Sequence, residues 1–151
     1  MLYTALKLVH ILLAITAIGF NASYAIWLSR AGGLSREINE FALRGVQFLD
    51  ARIANPAYGL LLVTGLLMVF MGPWSLTTRW IDAALFVWVV IVLMGVLGYT
   101  PALRNQIRAL EMEGPDSAAY RSAANRQNVI GILFLIPILA ILYLMVFKPA
   151  T

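Results

Sequence analysis

Apolar residues fall into four long blocks separated by polar stretches. Leu8–Leu28, Ile53–Thr78, Ala83–Leu103 and Gln127–Phe147 contain no Asp, Glu, Lys or Arg. Each is long enough to cross ~30 Å of hydrocarbon at ~1.5 Å per residue. Breakers place the helices at about 3–28, 55–72, 80–100 and 117–147. Ala31-Gly32-Gly33 ends the first, Asn55-Pro56 reads as an N-cap and first helical proline of the second, and Gly72-Pro73 stops it. Thr100-Pro101 kinks or breaks the third, Asp116 caps the fourth, and Pro137 kinks it.

Two further stretches carry a helical stripe without being apolar throughout. Leu34, Ile38, Phe41, Ala42, Val46, Leu49 and Ile53 recur at i, i+3/i+4 behind Ser35, a candidate N-cap. This segment either lies on the inner leaflet or stands up in a cytoplasmic bundle, and its mixed charges favour packing. Leu103, Ile107 and Leu110 form a second stripe, closed by Gly114-Pro115.

Composition fixes the class. Over 151 residues, 62% are hydrophobic and 12% charged, half the charged share of an average soluble chain. The expectation is an all-α polytopic membrane protein, a single domain over 1–151. Its four transmembrane helices form an up-down bundle with helical cytoplasmic extensions. The net charge of +4 does not indicate nucleic acid, because eight of nine arginines lie in two short loops. Arg30, Arg36, Arg44 and Arg52 follow the first helix; Arg104, Arg108, Arg121 and Arg126 follow the third. The positive-inside rule puts these loops in the cytoplasm of an inner membrane and both termini outside. Tyr24 and Trp27 then serve as inner-interface anchors, and Trp74 and Trp80 as outer ones.

With no cysteine, thiolate metal sites and disulfides are excluded. The small residues Ser23-Tyr24-Ala25 after the first apolar run resemble a cleavage site, but the run is read as a retained helix. Polar residues inside lipid are costly, so Lys7, His10 and Asn21 are the first candidates for a site. Counting from Tyr3, His10 lies ~10 Å below the outer boundary. Met68 or Gly65, Phe86–Trp88 and Ile141–Tyr143 reach the same depth on the other helices. Lys7 and Asp82 are the only opposite charges in the outer leaflet, and the expectation is that they pair and share a polar pocket with His10. The plain alternatives are a snorkelling Lys7, an Asp82 serving the helix dipole, and a His10 hydrogen-bonded to Tyr143, a backbone carbonyl or water. Chemically, His10 is a candidate ligand for haem b or a metal ion. Met68, an open position, or a second chain's His10 across a two-fold axis would complete a haem. Gly59, Thr64 and Gly65 supply a small-residue packing face.

Lys7-x-x-His10, Asn55-Pro56 with Thr64-Gly65, Trp80 and the closing Leu144-Met145-Val146-Phe147-Lys148-Pro149 together resemble a bacterial family of predicted integral membrane proteins of unknown function. That family is similar, at a distance, to copper-resistance D-type membrane domains and to haem-dependent protoporphyrinogen oxidases, which carry a helix-one histidine in a similar setting. The resemblance implies the four-helix fold. The oxidases also rely on an intramembrane lysine in a later helix, and here no lysine stands between Lys7 and Lys148. The function favoured is a non-enzymatic membrane subunit or interaction protein, in contact with lipid and with partner helices or a second copy. A haem b- or metal-binding redox protein using His10 is the alternative, and an oligomeric small transporter lined by His10, Asn21 and Ser23 is the third reading.

Overall fold

In the computed structural model, which describes residues 1–149, α1 spans Leu2–Ala31. Ser35 caps α2 (Arg36–Leu49), its hydroxyl oxygen accepting from the Ile38 amide at 3.5 Å. Hydrogen bonds to its own backbone amide and to Ser35 hold the Glu37 carboxyl below its ordinary pKa, as suits a helix N-terminus. α2 continues through one π-helical turn, Asp50–Ala54, into α3 (Asn55–Met71). After Gly72-Pro73, α4 (Arg79–Leu93) returns through a second π-helical turn, Met94–Tyr99, into α5 (Thr100–Glu113). Gly114 ends α5 at φ 85°, a left-handed conformation that glycine adopts without strain. α6 (Ala118–Leu133) and α7 (Leu135–Phe147) follow, separated by Phe134 alone.

The helices join into four rods of 30, 36, 35 and 30 residues, each long and apolar enough to cross a membrane. The two central rods are about 52–54 Å long at 1.5 Å per residue, well beyond ~30 Å of hydrocarbon. Their surplus is α2 and α5, which stand up beside each other rather than lying flat.

Three expected breaks prove to be adjustments within helices. Asn55 is not an N-cap: its amide bonds to the Asp50 carbonyl five residues back. Thr100 does the same with Gly95. Each wide turn sits immediately before a proline, where an ordinary turn would drive the ring into the carbonyl four residues earlier. The helix therefore absorbs Pro56 and Pro101 without ending. Pro137 is accommodated by the single-residue turn at Phe134. Ser117, rather than Asp116, caps the last rod, accepting from the Tyr120 amide at 3.0 Å. Tyr24 is buried and stacks on Tyr99, with ring centroids 6.3 Å apart, so it is a core residue and Trp27 alone stays exposed as an anchor.

Packing is uneven along the bundle. α1 lies on α3, α4 on α7, α5 on α6 and α2 on α5. The main buried cluster, including Leu43, Val46, Leu103, Ile107 and Leu110, gathers at the end bearing the arginine-rich loops. There Tyr120 Oη accepts from Asn39 Nδ2 at 2.7 Å and from Gln106 Nε2 at 3.4 Å, all three being buried. Arg44 nearby bonds Glu40 and Glu111 at the surface.

Tyr120→Phe removes the acceptor shared by two buried amides and is expected to cost about 1–3 kcal/mol of stability. Arg44→Ala removes exposed ion pairs and should have a smaller effect. Thermal unfolding of the detergent-solubilised protein, followed by circular dichroism, checks the order; a larger loss for Arg44→Ala would refute it.

Candidate functional site

His10 sits one-third of the way along α1, facing α3. Its Nδ1 lies 2.7 Å from Thr64 Oγ1. Thr64 is itself 7% exposed, and its hydroxyl donates back to the Leu60 carbonyl at 2.8 Å. A hydroxyl has one proton, so with that proton on Leu60 it accepts from His10 Nδ1–H. This arrangement fits the Nδ1–H tautomer, in which Nε2 is unprotonated, and Nε2 has no protein partner among the described residues. Gly65 permits this placement, since a Cβ there would stand 3.3 Å from His10 Cε1. The depth count that set Gly65 level with His10 is borne out, and Thr64 is the partner it missed.

His10 lines a cavity of about 750 Å³ between the α1/α3 pair and the α4/α7 pair, at the end carrying the chain termini. Its walls are mostly apolar, with Trp74, Trp80, Trp88 and Met68 among them, and Lys7 and Lys148 are its charged members. Lys148 ends α7 in a left-handed conformation at φ 43° and lays its ammonium 5.2 Å from the Trp74 ring and 5.6 Å from the Trp80 ring. The two indoles meet edge to face, their centroids 5.3 Å apart.

Other expected members of the site separate. Lys7 and Asp82 form no ion pair among the described residues. Lys7 is on α1, packed against α3, whereas Asp82 is exposed in the first turn of α4, which packs against α7. Asp82 is left with the helix-dipole role. Tyr143 does not reach His10: it is 54% exposed and stacks on Phe147 at 4.8 Å. Met68 shares the cavity with His10. Asn21 belongs elsewhere, donating to the Ala17 carbonyl at 2.9 Å and to Tyr58 Oη at 3.1 Å, and Ser23 bonds the Phe20 carbonyl within α1.

Asn21 opens instead onto a second cavity of about 270 Å³, toward the arginine-rich end. Asp50, Asn55, Tyr58 and Tyr99 also line it. Asp50 Oδ2 accepts from Thr100 Oγ1 at 3.1 Å and Asn55 Nδ2 at 3.3 Å, tying one π-helical turn to the other. A space of about 80 Å³ lies between the two cavities, sharing His10 with the outer and Tyr58 with the inner one. Trp88 borders all three and donates to the Tyr58 carbonyl at 3.1 Å. In the sequence Asp50 counts only among the mixed charges of the stripe from Leu34 to Ile53. Its signal was positional: it stands on the stripe with Leu43 and Val46 and within the turn before Pro56.

Because the chain has one histidine, its tautomer is directly measurable. Nitrogen-15 spectra of protein labelled only in histidine should show a protonated Nδ1 and a bare Nε2, and Thr64→Val should abolish that bias. A protonated Nε2 in the parent protein would contradict the assignment.

No group of three or more His, Asp or Glu side chains that would hold a bare metal ion occurs among the described residues. No curated protein and no solved structure matches the chain. The family described as "Predicted integral membrane protein (DUF2269)" matches residues 4–149. With four apolar rods spanning nearly the whole of that match, the chain belongs to this family of integral membrane proteins.

Proposed function

We propose that this protein is a non-enzymatic membrane binding protein whose larger cavity takes a planar, apolar, acidic metal complex of the haem b class. The observation that carries the reading is the imidazole anchored on Thr64 at the lining of a large, mostly apolar cavity. Ligating histidines are commonly oriented in this way, through a hydrogen bond from the other ring nitrogen. A single histidine is a poor site for a free ion, but a porphyrin brings four equatorial nitrogens and asks the protein for one or two axial ligands. His10 would supply one, and Met68 lies on the same cavity for the other. Lys7 and Lys148, also on its lining, suit the carboxylates of such a ligand. A volume of about 750 Å³ falls in the range of sites for sizeable small molecules. When bound, haem supplies reversible one-electron chemistry at iron.

The arginine distribution supports an inner-membrane orientation with the α2/α5 end in the cytoplasm and both termini outside. In that orientation the His10 cavity belongs to the outer leaflet.

Titrating haem into the purified protein in dodecyl maltoside should produce a saturable, shifted Soret band. His10→Ala should weaken binding by at least about tenfold, the scale of one lost ligand interaction. Absence of a band in the parent protein, or an unchanged band and affinity in His10→Ala, would overturn the reading.

A further inference from the structure

The smaller cavity is chemically unlike the His10 cavity, and its reading does not depend on haem. Its one charged wall is Asp50, 6% exposed and without an ion pair among the described residues. Both hydrogen bonds to the carboxylate fall on Oδ2, so Oδ1 has no protein donor. Arg52 and Arg104, the cationic residues nearest in sequence to Asp50 and Thr100, are exposed and neither forms an ion pair with Asp50, although the Arg104 charge acts on it from a distance. A carboxylate buried in an apolar bundle is costly unless a cation accompanies it or a proton neutralises it.

The remaining walls say which cation. Tyr58, Trp88, Tyr99 and Phe134 line the space, and aromatic faces attract cations most when water is excluded. A volume of about 270 Å³ exceeds what a bare ion fills and suits an ammonium carrying small alkyl groups. Gly95 narrows no wall of the space, and a Cβ there would stand 3.6 Å from Phe134 Cζ, on the cavity lining. Asn21 adds a side-chain carbonyl free of protein donors among the described residues. We infer that this cavity is a binding site for a small organic ammonium ion, its charge set against Asp50 and its alkyl groups against the aromatic walls.

The test uses the full chain in dodecyl maltoside, free of choline headgroups, with radiolabelled choline as probe. Choline should bind saturably, and its neutral isostere 3,3-dimethyl-1-butanol should compete at least about tenfold more weakly, the separation expected for a desolvated cation against its uncharged counterpart. Asp50→Asn should weaken choline binding by a similar factor. Gly95→Leu keeps the carboxylate and sets a side chain beside Phe134 on the cavity lining, and should abolish binding even if Asp50→Asn folds poorly. Equal competition by the neutral isostere, displacement of choline by sodium chloride at equimolar concentration, unchanged binding in Gly95→Leu, or no saturable binding would each overturn the assignment.

Discussion

The bundle is closed firmly at one end, and the rest of the molecule depends on that closure. In lipid, apolar side chains gain nothing by leaving hydrocarbon for one another, so association relies on close packing and polar contacts. Where the rods rise beyond the hydrocarbon, the ordinary hydrophobic effect returns. α2, α5 and α6 exploit this, burying Leu43, Val46, Leu103, Ile107 and Leu110 in one cluster. With the helices fixed there, the α1/α3 and α4/α7 pairs can stand apart at the other end, leaving a large cavity in a small protein.

Polar side chains are arranged in levels along this frame. The Asn39–Tyr120–Gln106 group stiffens the closed end. Midway, Asp50 joins the two π-helical turns, Asn21 joins α1 to α3 through Tyr58, and Gln127 donates to Tyr99 Oη at 2.9 Å. At the open end, His10 and Thr64 join α1 to α3. Each level ties neighbouring rods, and the outer two also border cavities. Buried oxygens of Tyr24, Gln106 and Gln127 have no partner among the described residues, so satisfaction is incomplete at the lower levels.

Much of the architecture was legible from the chain because four charge-free blocks and their Gly and Pro stops admit one arrangement. The stripe on α2 left both lying flat and standing up open, its mixed charges favoured packing, and counting residues set Gly65 level with His10. What stayed hidden depended on helix-to-helix pairing. Lys7 and Asp82 both fall in the expected outer leaflet, but that does not say that α1 packs mainly on α3 and α4 on α7. Tyr143 shares a level with His10 yet points away from it. Asn55-Pro56 has the composition of a helix start, and only the continuing backbone reveals a wide turn. Thr64 was seen as a small packing residue; its hydroxyl matters because Gly65 lets the imidazole approach.

The paired π-helical turns also settle which faces the long rods present. An ordinary helix advances about 100° per residue, so one residue accommodated in a wide turn shifts the phase of everything beyond it. α2 and α3 thus read as two independent stripes on a single rod, one matched to α5 and the other to α1. Phe41, 81% exposed, and Phe48 lie on the face of α2 opposite the buried Leu43 and Val46 and so point outward. Excising one residue from Asp50–Ala54 would restore a regular spiral and lengthen nothing, yet it would swing the whole of α2 out of phase with α5. The register of the extension is therefore written in the membrane-proximal turn rather than in the extension itself.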